Sequence, residues 1–352
     1  MKKIIQVVPT LLAVAGLAAD AAAQTVVDGT AEGRYGPPIV IQQVGTAFGN
    51  ATTGFRGDCN GSELDAAFGA IDAGYLFLVL AGNLQTNFNK LEIFVDCAPG
   101  GQNQLRSDNV DVDFNGLNRM GADAVNALPG LKFDAGFDAD FYFTCTGGNV
   151  PYTLYANFAQ VLTEGGGIGS YIGQSVTDST TGVIRIDDVT YGIQAAIDNS
   201  NILGVDGDPA GTSTGAGVAT GIELRIPVSV LGWDGVSPIK VCAFINGGGH
   251  DYASNQFISP LPAGYGNMAE PRLIDMSVIP GDQFFIVGGG TPPNPCPSDL
   301  DGDHFVGGSD LGGLLGAWGP CGSSCPADFD RDGAVTGSDL GKMLGDWGAC
   351  PG

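Results

Sequence analysis

The C-terminal part of the chain is one sequence written twice, and this duplication constrains the fold more than any other feature. The first copy, CPSDLDGDHFVGGSDLGGLLGAWGPC, runs from Cys296 to Cys321, and the second, CPADFDRDGAVTGSDLGKMLGDWGAC, runs from Cys325 to Cys350. Cysteines, acidic residues and the Ser-Asp-Leu-Gly and Trp-Gly segments stay in register without a gap. Because a unit this short buries little apolar surface, we expect it to need a metal ion or disulfide bonds for stability.

Acidic residues in each copy have the spacing of an EF-hand calcium loop. In that loop the ion is surrounded by oxygen ligands from positions 1, 3, 5, 7 and 12, and position 7 contributes its backbone carbonyl. The matching residues are Asp299, Asp301, Asp303, Phe305 and Asp310 in the first copy and Asp328, Asp330, Asp332, Ala334 and Asp339 in the second. We therefore predict two bound Ca²⁺ ions. The alternative is a solvated acidic turn, which would have to reach the same offsets twice by composition alone.

Each calcium loop is followed by a short amphipathic helix that we expect to open at Asp310 and Asp339. Apolar residues recur at spacings of three and four, as on one helix face: Leu311, Leu314, Leu315, Trp318, Leu340, Met343, Leu344 and Trp347. Val306 and Val335 are expected to pair the two loops across a short ladder. A calcium loop with only an exit helix, present twice, resembles the type I dockerin module over residues 296–352. This resemblance implies docking onto a cohesin-like protein or a cell-surface scaffold.

The N-terminal residues 1–23 have the pattern of a secretory signal peptide. Lys2 and Lys3 precede an apolar run, and the small residues Ala21-Ala22-Ala23 precede Gln24. No other segment approaches the ~18 apolar residues of a membrane span. We therefore expect a secreted or cell-surface protein without membrane insertion. The formal net charge of -24 disfavours nucleic acid as a partner.

Eight cysteines in an exported chain predict disulfide bonds. Four lie in the body of the chain, at positions 59, 97, 145 and 242, and four lie in the tail. In the tail we favour Cys296–Cys321 and Cys325–Cys350, which would join the start of each loop to the end of its own helix. The alternative is Cys296–Cys350 with Cys321–Cys325.

Residues 24–287 are predicted to be mainly β, because short apolar or alternating runs recur between Gly, Asn and Asp clusters. The clearest runs are Ile39–Val44, Tyr75–Ala81, Leu91–Asp96, Ala139–Thr144, Tyr152–Phe158, Val183–Asp187, Ile222–Ile226, Lys240–Ile245 and Phe284–Val287. Gly121–Leu128 is the best helix candidate. Residues 288–295 form a Gly/Pro linker. The predicted fold is a jelly-roll-like β-sandwich body plus a small C-terminal α module with two EF-hand-type calcium loops.

The body also resembles family 9 carbohydrate-binding modules and DOMON-type domains. The residues that carry this resemblance are Val27-Asp28-Gly29, the strand ending at Asp96, and Gly221–Pro227 followed by Leu231-Gly232. The resemblance implies a jelly-roll-like sandwich that binds a sugar or a haem-type ligand.

Sugar binding requires exposed aromatic rings with polar neighbours, and Trp233, His250 and Tyr252 are the candidate ligand-binding residues of the body. No catalytic residues are predicted. We expect an exported, non-enzymatic protein that docks a carbohydrate-binding β-sandwich onto a cohesin-like partner or scaffold, in a setting of polysaccharide degradation. The alternatives are a dockerin-tethered glycoside hydrolase and a surface or matrix protein whose tail is only a calcium-stabilised cap.

Overall fold

The structure is a computed structural model that describes residues 26–176, 183–288, 298–301, 305–321, 325–329 and 334–350. The predicted signal peptide and most of the predicted linker lie outside these residues. Cys296, Asp303, Asp330 and Asp332 also lie outside them.

The body is built mainly from antiparallel strands, which confirms the prediction of a mainly β chain. In chain order they are β1 (Val40–Ile41), β2 (Gly54–Phe55), β3 (Asp58–Cys59), β4 (Glu63–Asp72), β5 (Tyr75–Asn83), β6 (Asn87–Asp96), β7 (Phe141–Gly148), β8 (Thr153–Gln160), β9 (Gly169–Val176), β10 (Ile184–Asp187), β11 (Gln194–Ile197), β12 (Gly221–Pro227), β13 (Ile239–Asn246), β14 (Ala253–Ile258) and β15 (Phe285–Val287).

Two large sheets share the main hydrophobic core. One has the order β1-β4-β5-β12-β11-β10, and the other has the order β14-β13-β6-β7-β8-β9 with β15 beside β13. Alternate residues of each strand point into the shared core, for example Leu76, Leu78 and Leu80 of β5 and Leu91 and Ile93 of β6. The two sheets therefore pack face to face, as the period-2 alternation of β-strands allows.

The outer faces of both sheets are covered as well, which explains why β5 is apolar on both sides. Phe77 and Val79 of β5 pack against Tyr35 on the outer face of the first sheet. On the outer face of the second sheet, the long connection between β6 and β7 packs residues such as Phe133 and Phe137 against Phe94, Tyr142, Phe244 and Phe257. This connection carries the one-turn helix α1 (Gly116–Arg119).

The predicted helix at Gly121–Leu128 is wrong. Asp123 and Leu128 form an antiparallel bridge, and Oδ1 of Asp123 accepts hydrogen bonds from the backbone N–H groups of Val125 and Asn126. An Asp side chain that bonds its own following backbone competes with helix formation and favours a turn. The helix forms earlier, at α1, where the side chain of Asn118 accepts from the N–H of Asn109 and donates to its carbonyl.

The tail contains two equivalent helices, α2 (Gly308–Gly316) and α3 (Gly337–Gly345), which begin two residues before the expected Asp310 and Asp339. Four two-residue strands surround them: β16 (Phe305–Val306), β17 (Gly319–Pro320), β18 (Ala334–Val335) and β19 (Gly348–Ala349). Strand β16 pairs with β19, and β17 pairs with β18. Each loop strand thus pairs with the segment after the other copy's helix, so the expected Val306–Val335 ladder is wrong.

The cysteine predictions are corrected in two respects. Cys321 is bonded to Cys325, which overturns the favoured Cys296–Cys321 and Cys325–Cys350 pairing and agrees with half of the alternative. The two cysteines are four residues apart, and their Cα atoms lie 6.0 Å apart, within the range that a disulfide spans. Cys350 is also disulfide-bonded.

The four body cysteines are free thiols rather than disulfides. Cys145 belongs to the core between the sheets, whereas Cys242 belongs to the cluster on the outer face of the same sheet. Two thiols on opposite faces of one sheet cannot meet. Burial raises the pKa of the Cys145 thiol to about 12, so this thiol stays protonated and unreactive at neutral pH.

Candidate functional site

The first candidate site is the calcium-type loop of the first tail copy. One carboxylate oxygen from each of Asp299, Asp301 and Asp310 lies within 4.8 Å of the other two. These residues occupy loop positions 1, 3 and 12, so three of the predicted calcium ligands of the first copy lie close together in the structure. Three converging carboxylates form a hard-oxygen donor set that suits a divalent cation such as Ca²⁺.

The backbone of the loop holds Asp310 in place. Its Oδ1 accepts from the N–H of Leu300 at 2.7 Å and of Asp301 at 3.2 Å, and its Oδ2 accepts from the N–H of Gly307 at 2.7 Å. Burial alone would raise the pKa of Asp310, but these backbone hydrogen bonds outweigh it and lower the pKa. The carboxylate is therefore ionised and oriented towards the other two.

The second copy repeats this arrangement where the structure describes it. Oδ1 of Asp339 accepts from the N–H of Phe329 at 2.7 Å, and Oδ2 accepts from the N–H of Thr336 at 2.8 Å. Asp328 and the position-7 residue Ala334 are described, whereas the other two predicted ligands of this copy, Asp330 and Asp332, are not. Phe305, the position-7 residue of the first copy, lies in β16 with its side chain half exposed.

The helix residues of the tail divide into an inner and an outer set. Leu314 and Met343 are buried together with Val306 and Val335, and Leu311 and Leu340 are partly buried against them. The outer set remains half exposed and occupies equivalent positions in the two copies: Leu315 and Trp318, then Leu344 and Trp347. The tail therefore presents two matching apolar pairs to solvent.

The second candidate site lies on the outer face of the β6–β9 sheet. Register places Lys90, Thr146, Tyr155 and Gln174 in one row across four strands. The neighbouring row contains Glu92, Thr144, Asn157 and Tyr171. The next rows on this face are apolar and covered by the β6–β7 connection, so the polar rows form the open end of a covered sheet.

Most residues of these rows, all except Glu92 and Thr144, form the floor of a cavity of about 570 Å³, which we call the Phe114 cavity. Its walls are Phe88, Lys90, Asp113, Phe114, Thr146, Tyr155, Asn157, Tyr171 and Gln174. The volume falls within the ~300–1,000 Å³ of small-molecule sites. Four aromatic rings and several hydrogen-bonding side chains line it.

Beside the cavity, four charged side chains form a buried network that joins Lys90, Asp113, His250 and Glu92. Oδ2 of Asp113 lies 2.9 Å from Nζ of Lys90 and 3.0 Å from Nε2 of His250. Nδ1 of His250 lies 2.7 Å from Oε1 of Glu92, whose Oε2 accepts from the hydroxyl of Tyr142. Each cation faces a carboxylate, so the network is close to neutral.

The pKa shifts of His250 and Asp113 keep these two groups charged. Burial lowers the pKa of His250, but the negative charge of Glu92 and the close contact with the Asp113 carboxylate outweigh it and raise the pKa to about 9. Burial raises the pKa of Asp113, but His250 and Lys90 outweigh it and hold the pKa below its ordinary value. Asp113 is thus a fixed, ionised hydrogen-bond acceptor at the cavity wall.

Backbone strain is concentrated around this cavity. Phe88, Asp113, Phe114, Asn115 and His250 all have φ between 49° and 67°. A non-glycine residue in this left-handed region costs on the order of 1–3 kcal/mol, and such residues cluster at functional sites. The strain therefore supports the assignment of this cavity as a site.

The three ligand-binding residues predicted for the body have different surroundings. His250 is buried and contributes to the network rather than to an exposed binding surface. Tyr252 is half exposed and stacks on Phe48 with ring centroids 6.2 Å apart. Trp233 packs against the main core, and its Nε1 donates to the carbonyl of Ser237 at 2.7 Å. Neither Tyr252 nor Trp233 lines the Phe114 cavity.

Sequence reasoning missed most of the cavity residues. Lys90 and Glu92 alternate with Leu91 and Ile93 on β6, so they look like ordinary solvent-facing positions of a half-buried strand. Phe114 lies in an Asp/Asn/Gly turn that resembles half a calcium loop, yet Asp113 of that turn pairs with Lys90 and His250. The sequence feature that could have indicated this site is the presence of polar side chains at outward-facing positions of consecutive strands.

Protein-family models, curated proteins and solved structures show no match to this chain. Within the described ranges, no helix is both long enough and apolar enough to cross a membrane.

Proposed function

We propose that this is an exported, non-enzymatic protein whose calcium-loaded tail attaches a carbohydrate-binding β body to a cohesin-like partner or a cell-surface scaffold. The observation that carries the proposal is the convergence of Asp299, Asp301 and Asp310 in a loop whose sequence is repeated in the second copy. The cofactor is Ca²⁺, with two ions per chain, because hard carboxylate and carbonyl oxygens are the ligands that Ca²⁺ prefers.

The attachment role is supported by the outer face of the tail helices. Leu315, Trp318, Leu344 and Trp347 are half exposed although they are apolar. Tryptophan is enriched at the centres of protein interfaces, and exposed apolar groups at matched positions are typical of a binding surface. Calcium would order the loops and so fix the helices that present this surface.

Carbohydrate binding is supported by the Phe114 cavity rather than by Trp233 or Tyr252. Aromatic rings can stack on the apolar faces of sugar rings, while Lys90, Asp113, Asn157 and Gln174 offer donors and acceptors for hydroxyl groups. The jelly-roll-like sandwich implied by the resemblance to carbohydrate-binding modules belongs to the same proposal.

A glycoside hydrolase would need a carboxylic acid with a raised pKa beside a second carboxylate. Asp113, the one acid among the described lining residues, has a lowered pKa.

A pull-down with immobilised full-length protein tests the attachment role. We expect partner capture from the surface proteins of the source cells in calcium, release by a chelator, and no capture by the double variant Asp301→Ala/Asp330→Ala. Asp346→Asn is the matched control, because it removes one acid of the tail and keeps an acceptor for Ser298. Calcium binding without any calcium-dependent capture would contradict attachment and leave the tail as a calcium-stabilised cap.

A further inference from the structure

A second cavity lies directly beside the first. It measures about 470 Å³, and we call it the Arg119 cavity because Arg119 and Arg272 line it together with Asn115, Asn118, Asp123 and Val125. Phe114 lines both cavities. The ring of Phe114 therefore stands on the ridge between two neighbouring depressions of similar size.

Phe114 is held in an unusual position. It is 99% exposed, and its φ is 56°. A phenylalanine that is fully exposed on a strained backbone loses the stabilisation that burial of its ring would give. A bound ligand that covers the ring would recover that loss.

The loop that carries Phe114 is rigidly fixed on both sides. Before it, Asp113 is bound to Lys90 and His250. After it, Gly116 packs so closely on the imidazole of His250 that a Cβ would overlap the ring. Nδ2 of Asn118 donates to Oδ1 of Asn115 at 2.7 Å and to the carbonyl of Asn109 at 2.9 Å. Phe114 is thus a preorganised platform.

The charges around both cavities are paired. In the Phe114 cavity, Lys90 faces Asp113. In the Arg119 cavity, Arg119 pairs with Glu270, and Arg272 pairs with Glu270 and Asp123. No uncompensated positive charge remains among these groups to select an anion, and the chain as a whole carries a charge of -24. The surroundings therefore favour a neutral ligand rich in hydrogen-bonding groups.

We propose that a neutral, linear oligosaccharide lies across Phe114, with sugar units in the Phe114 cavity on one side and in the Arg119 cavity on the other. This inference rests on the proposed carbohydrate binding and adds that the ligand is an internal stretch of a chain rather than a single sugar. A monosaccharide fills only one depression, whereas a chain that crosses the ridge uses both and buries the ring between them.

The test measures the affinity of the full-length protein for neutral oligosaccharides of increasing length. Linear glucose, mannose and xylose oligomers of graded length, starting from the monosaccharide, are screened, and the best series is titrated by calorimetry. We expect affinity to rise with length until both cavities are occupied and then to level off. Phe114→Ala should weaken the longest oligomer about tenfold or more, because central aromatic contacts dominate binding energy.

Val125→Arg tests the contribution of the Arg119 cavity by itself, since Val125 lines this cavity and is 93% exposed. It should reduce the affinity of long oligomers to that of short ones and leave the short ones unchanged. Val189→Arg is the control, an equally exposed valine that lines neither cavity. If the monosaccharide and the longest oligomer bind with equal affinity, and Val125→Arg changes neither affinity, the inference of a chain across Phe114 is overturned while the proposed carbohydrate binding stands. Absence of binding to neutral saccharides of every length would overturn the proposed carbohydrate binding as well.

Discussion

Asp113 shows how one side chain can serve both stability and binding. It is the shared partner of Lys90 and His250, which are both buried. Removing one member of a buried ion-pair network leaves the remaining charges without compensation, and this costs more than the pair itself contributes.

We therefore expect Asp113→Ala to lower the free energy of unfolding of the body by about 3–5 kcal/mol. Asp111→Ala is the matched control, because Asp111 is exposed two residues earlier in the same loop, and its effect should stay within about 0.5 kcal/mol. Denaturant unfolding in calcium measures both values. Equal losses for the two variants would show that the network contributes nothing specific.

Glu63 is a second buried acid with a measurable consequence. It is fully buried, its Oε2 accepts from the N–H of Ala51 at 2.8 Å, and its Oε1 has no hydrogen-bond partner among the described residues. Burial, followed by the charge of Asp65, raises its pKa from 4.5 to about 8. The folded state therefore holds this proton more tightly than the unfolded state does.

A raised carboxyl pKa makes stability fall as pH rises from about 4.5 to about 8. Glu63→Gln keeps the acceptor for Ala51 and removes the ionisation. The stability of the variant relative to the natural protein should therefore increase with pH by about 1.4 kcal/mol per unit within that window. Thermal unfolding at pH 5 to 9 measures this difference, and Glu32→Gln, an exposed glutamate, is the control. A difference that does not change with pH would refute the buried, protonated Glu63.

At the scale of elements, local sequence patterns predicted the strands well but not their partners. All nine predicted strand runs correspond to observed strands, because alternation and apolar runs directly reflect which faces are buried. Six strands of the body were not predicted. Strands β2 and β3 are only two residues long, and Gly, Asp, Asn, Ser or Gln interrupt the apolar pattern of β4, β9, β11 and β14.

The tail shows the limit of local reasoning. The helices are short-range features and were predicted to within two residues of their observed starts. The exchange of strands between the copies depends on how the two units face each other. The Phe114 cavity also depends on contacts between distant segments, since His250 meets residues of β6 and the β6–β7 connection. No spacing within one segment encodes such contacts.

The division of the tail helices into inner and outer residues gives a prediction for neighbouring leucines. Leu314 is completely buried, whereas Leu315 is half exposed. Leu314→Ala should destabilise the tail by ~2–5 kcal/mol and weaken calcium binding, because binding and folding are coupled. Leu315→Ala should keep calcium affinity and lose partner capture. Calcium titration and pull-down of both variants measure this, and equal calcium affinity for the two would contradict the assigned packing.

At the scale of the whole molecule, the two proposed activities use separate residues. The Phe114 cavity is lined by residues between Phe88 and Gln174, whereas the carboxylate cluster lies in the tail at Asp299, Asp301 and Asp310. Because the two sites share no ligand residue, a chelator should abolish partner capture and leave saccharide affinity unchanged. Calorimetric titration of a saccharide with and without chelator checks this, and loss of both activities together would show that calcium also supports the body.

Whether the duplicated tail is a calcium-binding unit can be measured by a calcium titration of the chelator-treated protein. Calorimetry followed by far-ultraviolet circular dichroism reports the number of ions and the gain in helix. We predict two ions per chain, a rise in helical signal as they bind, and loss of both in Asp301→Ala/Asp330→Ala. Absence of calcium heat together with an unchanged helical signal would show that the tail is not a calcium-binding unit.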